Sequence, residues 1–310
     1  MITVPSYKEK EWILQNSKLS LSYSERGGVL SEVIHVSSSV NPLSFQLPRP
    51  DHPDSFYKGH FICAPRWGDP TIGEKEAGAI KHGDIGTQLW KTEKKSDTEL
   101  GMTGVSLIDQ IMVHRTVHLA IDSSVCIVTE TLTNTSTVFR PVNLVQHPTL
   151  AAPFLDQDTL VFSNGQSVKF PDGSKPVENI HSFFLSPDET GWMVAVDKKS
   201  SLLFGYCWSG KHFPWIHHWI HEVDNRIVYR GLEFGTAALH ISWEELKQGY
   251  QWEFQQQPAC LFLDSLESRT FPYFLFMTSI PDTCETVDQV VLNSDHLYIK
   301  GNGTDMRLSF

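Results

Sequence analysis

Residues 58–90 read KGHFICAPRWGDPTIGEKEAGAIKHGDIGTQLW and contain Pro65, Pro70 and six glycines. Proline cannot donate to a sheet or continue a helix, and glycine weakens both kinds of structure. These residues therefore argue against one long helix or a central strand, and we interpret the stretch as a long loop. A loop of this length inside a compact domain usually carries a functional surface.

The side chains of this loop suit a small-ligand site, because they combine large apolar groups with a few polar ones. Three aromatic residues can anchor the loop to a core: Phe61, Trp67 and Trp90. Four polar residues can contact a ligand: Arg66, Asp69, His82 and Asp84. We assign Arg66, Trp67, His82 and Asp84 to substrate binding. The alternative is a purely structural loop that buries a hydrogen-bonded histidine.

Outside this loop, short stretches alternate between apolar and polar residues, as in KLSLSYS, VLSEVIHV and VCIVTETLTN. This period of two, with turn residues such as Gly27-Gly28 between stretches, predicts antiparallel strands and hairpins. One short helix is predicted over residues 242–249, with Ser242 as the cap and Gly249 as the stop. No break in composition marks a boundary, so we predict an all-β fold, a large antiparallel β-supersandwich, with residues 1–310 in a single domain.

Composition narrows the class of partner. Acidic residues number 36 against 25 basic ones, and the formal net charge of −11 disfavours nucleic acid and anionic membrane surfaces. Five cysteines occur without metal-like spacing, which indicates reduced thiols. The N-terminal residues lack an apolar signal core, and no apolar run approaches membrane-spanning length. We expect a cytoplasmic protein with a small neutral partner; the oligomeric state stays open.

A candidate base lies in YRGLEFGTA, residues 229–237. On a strand, Glu233 shares one face with Gly231 and Gly235, so the carboxyl has no large neighbours on that face. Glycine inside a strand often marks the close approach of a ligand, and a ligand that covers a carboxyl raises its pKa toward the range of a useful base. The alternative is a glutamate on a solvated strand face.

The segment PWIHHWIHEVDN contains His217, His218 and His221. Adjacent histidines diverge on a strand, so we predict no metal site here. Trp215 and Trp219 are candidates to stack against the apolar face of a sugar, and the alternative is a tryptophan-rich sheet edge. His147 lies before Pro148 at the end of a predicted strand, where a structural role is the alternative to a chemical one.

GHFICAPRWGDP followed by KHGDIGTQLW resembles the hexose-phosphate mutarotase branch of the aldose 1-epimerase (galactose-mutarotase-like) superfamily, whose members read G-x-P-[VI]-C-x-P-x-[FW]-G, then H-G-F-A-R, then a tryptophan. The resemblance implies a β-supersandwich and a cofactor-free mutarotase that interconverts the α and β anomers of a sugar. It implies Glu233 as the catalytic base and His147 as the acid that protonates the ring oxygen, with His82 near the substrate.

One departure from that pattern concerns the substrate. Where the family has H-G-F-A-R, this chain has HGDIG, so a glycine replaces the arginine and Asp84 appears. The loss of a guanidinium and the gain of a carboxylate predict a preference for an unphosphorylated sugar. Two other functions stay open: a glycoside hydrolase or lyase on the same sandwich, and a noncatalytic carbohydrate-binding protein.

Overall fold

The computed structural model describes residues 9–50, 52–168 and 179–310 and confirms the predicted antiparallel β-supersandwich. The first large sheet has nine strands, in spatial order β1 (Glu11–Gln15), β2 (Leu19–Ser24), β3 (Leu30–His35), β6 (His60–Cys63), β12 (Val145–Leu150), β19 (Arg226–Gly235), β18 (Trp215–Val223), β15 (Ile180–Phe184) and β14 (Gln166–Ser167). The second has eight: β13 (Leu160–Ser163), β16 (Thr190–Asp197), β17 (Leu202–Ser209), β23 (Ser268–Ser279), β10 (Val125–Asn134), β9 (Ile111–Leu119), β8 (Glu99–Ser106) and β7 (Lys91–Lys94).

Shorter strands and helices lie outside the two large sheets, and several of them pack on the outer faces of these sheets. The short strands are β4 (Gln46–Arg49) with β5 (His52–Lys58), β11 (Arg140–Val142) with β22 (Leu261–Leu263), β20 (Glu253–Phe254) with β21 (Gln257–Pro258), and the hairpins of β24 (Gln289–Leu292), β25 (His296–Gly301) and β26 (Thr304–Ser309). The helices within the described ranges are α1 (Ile72–Glu76), α2 (Trp243–Tyr250) and a 3-10 turn at Ile85–Thr87. Among the described residues, no helix has the length and apolarity that a membrane span requires.

The core lies between the two large sheets, where alternate side chains of both sheets meet. Leu232 and Phe234 of β19 point into it, and the Phe234 ring stacks on Trp208 of β17 with centroids 4.0 Å apart. Because side chains alternate along a strand, Gly231 and Glu233 point to the outer face of the nine-stranded sheet. The functional face of β19 is therefore the face turned away from the main core.

A charged network crosses this core. The Arg115 guanidinium of β9 donates to Glu130 Oε1 of β10 through Nε at 2.7 Å, and both side chains are fully buried. Gln146 Nε2 donates to Glu130 Oε2 at 2.7 Å, and Gln146 Oε1 contacts His60 Nε2 at 2.9 Å. Since Gln146 and His60 belong to β12 and β6, the network links the second sheet to the two strands that carry His147 and Phe61.

The region of residues 58–90 is more regular than the sequence analysis predicts. His60–Cys63 form β6, an interior strand of the nine-stranded sheet, so the prediction of a continuous loop without a central strand is wrong there. The strand ends before Pro65, which explains why the proline does not disrupt it. Further on, Thr71 caps α1 with a reciprocal bond to Glu74, so the rest is a loop with one helical turn.

Two local predictions outside this region are confirmed, one of them with a shifted boundary. Gly27 and Gly28 both have positive φ and join β2 to β3. Ser242 caps α2, but the helix passes through Gly249 and ends at Tyr250, followed by Gln251 in the left-handed region at φ 51°. Gly249 is therefore not the stop.

All five cysteines are buried and unpaired: Cys63, Cys126, Cys207, Cys260 and Cys284. They lie in different parts of the fold, on three strands of the two large sheets and in two peripheral segments. Burial raises the pKa of the Cys63 and Cys126 thiols and that of Cys260 to about 12. The Cys63, Cys126 and Cys260 thiols are therefore protonated, and burial makes all five thiols inaccessible in the folded chain.

Candidate active site

A cavity of about 320 Å³ opens on the outer face of the nine-stranded sheet, beside the loop of residues 58–90. Its aromatic walls are Phe45, Tyr57, Phe61, Trp67 and Trp219. Its polar lining consists of Lys81, His82, His147, Asn179, Glu233 and His240. Apolar walls with a few convergent polar groups are typical of a site for a small molecule of about this size.

Strand register brings Glu233 and His147 together. In the antiparallel pair of β12 and β19, Gln146 pairs with Phe234 and Thr149 with Gly231, which sets His147 opposite Glu233. His147 Nε2 lies 3.1 Å from Glu233 Oε1. The carboxyl is almost fully buried, and the imidazole forms the neighbouring part of the cavity floor.

Burial controls the protonation of both groups. It raises the pKa of the Glu233 carboxyl well above its usual value, while a hydrogen bond from Trp67 acts in the opposite direction. It lowers the pKa of His147 to about 3. Each shift favours the uncharged form, so the neutral pair holds a single proton between Oε1 and Nε2. A pair of groups that shares one proton across a short contact suits acid–base chemistry.

The His147 ring is held in one orientation. It stacks on Phe61 with centroids 4.2 Å apart and an interplanar angle of 21°. Nδ1 lies 3.0 Å from Thr149 Oγ1, which in turn contacts the His147 carbonyl at 3.5 Å. With the hydroxyl hydrogen directed to that carbonyl, Oγ1 can accept from Nδ1–H. This arrangement leaves Nε2 as the nitrogen that exchanges a proton with Glu233.

His82 closes another side of the cavity. Its backbone is in the left-handed region at φ 62°, and its N–H donates to the Gly68 carbonyl at 3.1 Å while its carbonyl accepts from Ala64. Gly83 follows at φ 78°, where a Cβ atom would lie 2.0 Å from the Ala64 oxygen. Among the described residues, His82 Nδ1 has no hydrogen-bond partner, so this buried nitrogen is available to a ligand.

Trp67 and His217 form a support behind Glu233. His217 pairs across the sheet with Glu233, and its ring lies 4.3 Å from the Trp67 ring. His217 Nε2–H donates to the Ala237 carbonyl at 2.9 Å, and Nδ1 accepts from Ser182 Oγ at 2.8 Å. Both ring nitrogens are thus satisfied by the protein. His218 projects from the opposite face of β18, so the two histidines diverge as the sequence predicts.

Three of the predicted substrate contacts lie outside this cavity. Arg66 is buried in ion pairs with Glu74 at 2.8 Å and Asp109 at 2.5 Å, so its guanidinium is already occupied. Asp84 precedes the 3-10 turn, where burial raises the pKa of its carboxyl. Trp215 is buried below α2, and its indole N–H donates to the Pro258 carbonyl at 3.1 Å. The structure therefore does not place any of these three residues where it could contact a substrate in this cavity.

Several residues that line the cavity are not predicted from the sequence. Lys81 precedes His82 directly and forms an ion pair with Asp69 at 3.6 Å. His240 follows β19 in a loop and lies between Trp67 and His82, with ring centroids 5.1 and 5.2 Å away. Tyr57 comes from the β4–β5 hairpin. Lys81 could have been predicted as a lining residue because it is adjacent to His82 in sequence. No local sequence pattern marks His240 or Tyr57.

The fold matches known structures although no protein-family model and no curated protein matches the chain. A galactose mutarotase-like protein from Lactobacillus casei ATCC 334 aligns over 87% of this chain and 100% of its own, with 13% identity and a TM-score of 0.63. A galactose mutarotase related enzyme from Lactobacillus acidophilus aligns over 87% and 98%, with 10% identity and a TM-score of 0.64.

A galactose mutarotase-like protein from Clostridium acetobutylicum aligns over 88% of this chain and 99% of its own, with 13% identity and a TM-score of 0.62. At identities this low, the comparisons establish the fold, which is the galactose-mutarotase-like fold. Membership in the hexose-phosphate branch and the roles of individual residues stay predictions.

Proposed function

We propose that this protein is an aldose 1-epimerase-like mutarotase that interconverts the α and β anomers of a sugar without a cofactor. The observation that carries the proposal is the 3.1 Å contact between His147 Nε2 and Glu233 Oε1 on the floor of a sugar-sized cavity. Anomer exchange needs one group that removes the proton of the anomeric hydroxyl and another that protonates the ring oxygen. This pair supplies both roles.

The proton count of the pair matches the reaction. Transfer of the shared proton from Oε1 to Nε2 yields a carboxylate and an imidazolium while the total charge of the site stays the same. In that form Glu233 is the base and His147 the acid. Thr149 Oγ1 accepts from Nδ1–H in either state, so the hydrogen bond that orients the ring persists.

Ring opening then proceeds by two coupled proton transfers. Glu233 removes the proton of the anomeric hydroxyl, the C1–O5 bond breaks, and its electron pair goes to O5, which takes the proton from His147 Nε2. Rotation about C1–C2 presents the other face of the aldehyde, and the same transfers in reverse close the ring. The rate gain from each positioned group is about 10²–10⁴-fold.

The cavity walls support a sugar as the substrate. Trp219 is partly exposed and lies 5.9 Å from the His147 ring, so its indole can pack against the apolar face of a sugar above the acid–base pair. His82 Nδ1 and Lys81 provide polar contacts for hydroxyl groups.

A glycoside hydrolase requires a second carboxyl group about 5–9 Å from the first. Among the described residues that line the cavity, Glu233 is the only carboxylate. Asp69 pairs with Lys81 outside the lining, and Asp84 lies beside the 3-10 turn. The lining therefore favours isomerisation over hydrolysis.

Two-dimensional exchange NMR on glucose and galactose tests the proposal directly, since it measures anomer exchange at equilibrium. Glu233→Gln should lower the enzymatic rate by about 10²–10⁴-fold, because an amide cannot act as the base. Glu222→Gln, an exposed position on the neighbouring strand β18, is the matched control and should leave the rate unchanged.

His147→Asn should cause a similar loss, and the double variant should lose little more, because the two groups act as a unit. Wild-type rates in Glu233→Gln would refute the assignment of the base. Exchange at the rate in water for every sugar tested, with sugar binding retained, would favour a noncatalytic carbohydrate-binding protein. Release of phenol from aryl glycosides would favour a hydrolase.

A further inference from the structure

A second cavity, of about 620 Å³, lies on the reverse side of the strands that carry the proposed active site. It opens at one edge of the sandwich, where β15, β18 and β19 of the first sheet lie beside the edge strand β13 and its neighbour β16 of the second. Arg230 and His218 point into it, each one residue away along its strand from a residue of the active-site face. The two cavities therefore share a floor of two strands and face opposite directions.

Arg230 lines this cavity and has no ion-pair partner among the described residues. No carboxylate affects the pKa of its guanidinium, and its buried Nε has no hydrogen-bond partner in the part of the chain that the structure describes. Burial lowers the pKa of Arg230, and no neighbouring anion counteracts that shift. A partly buried guanidinium without a counter-charge is unfavourable unless water or an anionic ligand satisfies it.

His218 contributes a second unsatisfied group. Its Nε2 lies 2.9 Å from Ser163 Oγ of β13, whereas Nδ1 is buried and has no hydrogen-bond partner among the described residues. The side chain is almost completely buried and lines the cavity beside Arg230. A buried nitrogen in this position can donate to or accept from a ligand that reaches the guanidinium.

The remaining walls are suited to a ring. Phe183 packs against the main core, and Phe162 and Trp192 belong to the apolar cluster on the outer face of the second sheet, so the cavity has apolar surface on both sides of β13. The only carboxylate among the described lining residues is Asp288, which is exposed and makes no ion pair with Arg230. The volume lies within the usual range for sites that bind small organic molecules.

We propose that this cavity is a binding site for a small organic anion, a ring compound whose carboxylate or phosphate is held by the Arg230 guanidinium while its ring packs against the aromatic lining. Arginine's planar fork matches either anionic group through two parallel hydrogen bonds. This site is separate from the proposed catalytic one and does not depend on the function assigned there.

Indole resonances of the 15N-tryptophan-labelled chain distinguish the two cavities, because Trp192 lines the second cavity and Trp67 the first. The probes are D-glucuronate, glucose 6-phosphate and neutral glucose. We expect a saturable shift of the Trp192 resonance with at least one anion and none with glucose. Comparison of glucuronate with glucose 6-phosphate identifies which anionic group the site prefers.

Arg230→Gln should weaken the response of Trp192 by at least about tenfold. Arg226→Gln, an exposed arginine at the start of the same strand, removes the same charge and should leave the response unchanged. Glu233→Gln should also leave it unchanged, and Asp288→Asn should strengthen it by removing a repulsive charge. If Arg230→Gln does not fold, Arg230→Lys, which keeps the charge without the planar fork, should also weaken the response.

Three results would overturn the proposal. The first is the absence of a saturable Trp192 shift with both anions. The second is an equal response in wild type and in the Arg230 variants that fold. The third is a response to glucose as strong as that to the anions, which would show that the guanidinium does not select the ligand.

Discussion

Gly231 and Glu233 share one face of β19, and a Cβ atom at position 231 would lie 3.0 Å from Glu233 Oε1 and 3.1 Å from the Cβ of Trp219. Because Gly231 has no side chain, the side chains of Glu233 and Trp219 can approach each other above it. Contacts this short are tighter than ordinary van der Waals packing, so one of the two neighbours must move when a methyl group is added.

Gly231→Ala should slow anomer exchange by about tenfold or more, since about 1.4 kcal/mol of lost transition-state stabilisation suffices for that factor. The displaced carboxyl no longer meets both His147 and the substrate. Exchange NMR measures the rate, and urea unfolding checks that the fold is retained. Gly249→Ala is the control, because a Cβ atom there meets nothing within 4 Å. That helix substitution should stabilise the chain by about 0.5–1 kcal/mol without changing the rate.

Lys81, and not Asp84, should control the response to charged sugars. Lys81 lines the cavity, whereas Asp84 does not, so Asp84 is not placed to repel a phosphate bound there. Asp84→Asn should leave the ratio of exchange rates for glucose and glucose 6-phosphate unchanged. Lys81→Gln should lower the rate for glucose 6-phosphate relative to glucose by about tenfold. The opposite pattern, with the ratio altered only by Asp84→Asn, would show that Asp84 and not Lys81 sets the preference between neutral and phosphorylated sugars.

Stability should fall as the pH decreases below about 6.5. Burial lowers the pKa of His217 and His218 to about 3, against 6.5 for a free histidine. Above pH 6.5 both histidines are neutral in the folded and in the unfolded chain. Below pH 6.5 they take up protons only in the unfolded chain. The free energy of unfolding therefore decreases progressively down to about pH 3. Each histidine contributes a slope of about 1.4 kcal/mol per pH unit. Glu233, with its raised pKa, acts in the opposite sense above about pH 4.5.

Urea midpoints at pH 7, 6 and 5 measure this slope. His217→Gln should flatten it while lowering the midpoint at pH 7, because the variant loses a titrating group together with its bonds to Ser182 and Ala237. A midpoint that does not change between pH 7 and 5 would contradict the expectation.

Arg115→Met should destabilise the fold by about 3–5 kcal/mol, because it leaves the buried Glu130 carboxylate without its cation. The double variant Arg115→Met, Glu130→Leu should recover part of this loss, since both charges are gone. Urea unfolding of the single and double variants measures the difference. A double variant less stable than Arg115→Met alone would show that the network contributes more than charge compensation.

Much of the fold follows from local sequence patterns. Strict alternation predicts β9 and β10, whose buried and accessible residues alternate along each strand. Ser242, as a cap residue directly before the helical stretch, likewise predicts the start of α2 from local sequence. β6 is missed because it has only four residues, all of them buried, so no alternation marks it.

The active site is only partly predictable from sequence because its members meet through strand register. Glu233 is marked by its flanking glycines, and His147 by the family resemblance. His240 and Tyr57 enter the cavity from a loop and a hairpin whose placement depends on the packed sheets. Arg66 is misassigned because its two carboxylate partners, Glu74 and Asp109, come from separate segments that only the folded chain brings together.

The five buried thiols allow local unfolding of the chain to be measured at five positions. A thiol reagent can modify a buried cysteine only when the surrounding segment unfolds, so the labelling rate at each position reports the opening of that segment. Cys63 lies in β6 beneath the proposed active site, Cys126 and Cys207 lie in the second sheet, and Cys260 and Cys284 lie in peripheral segments. Mass spectrometry of alkylated peptides would thus rank five regions by stability in one native sample, without introducing a single substitution.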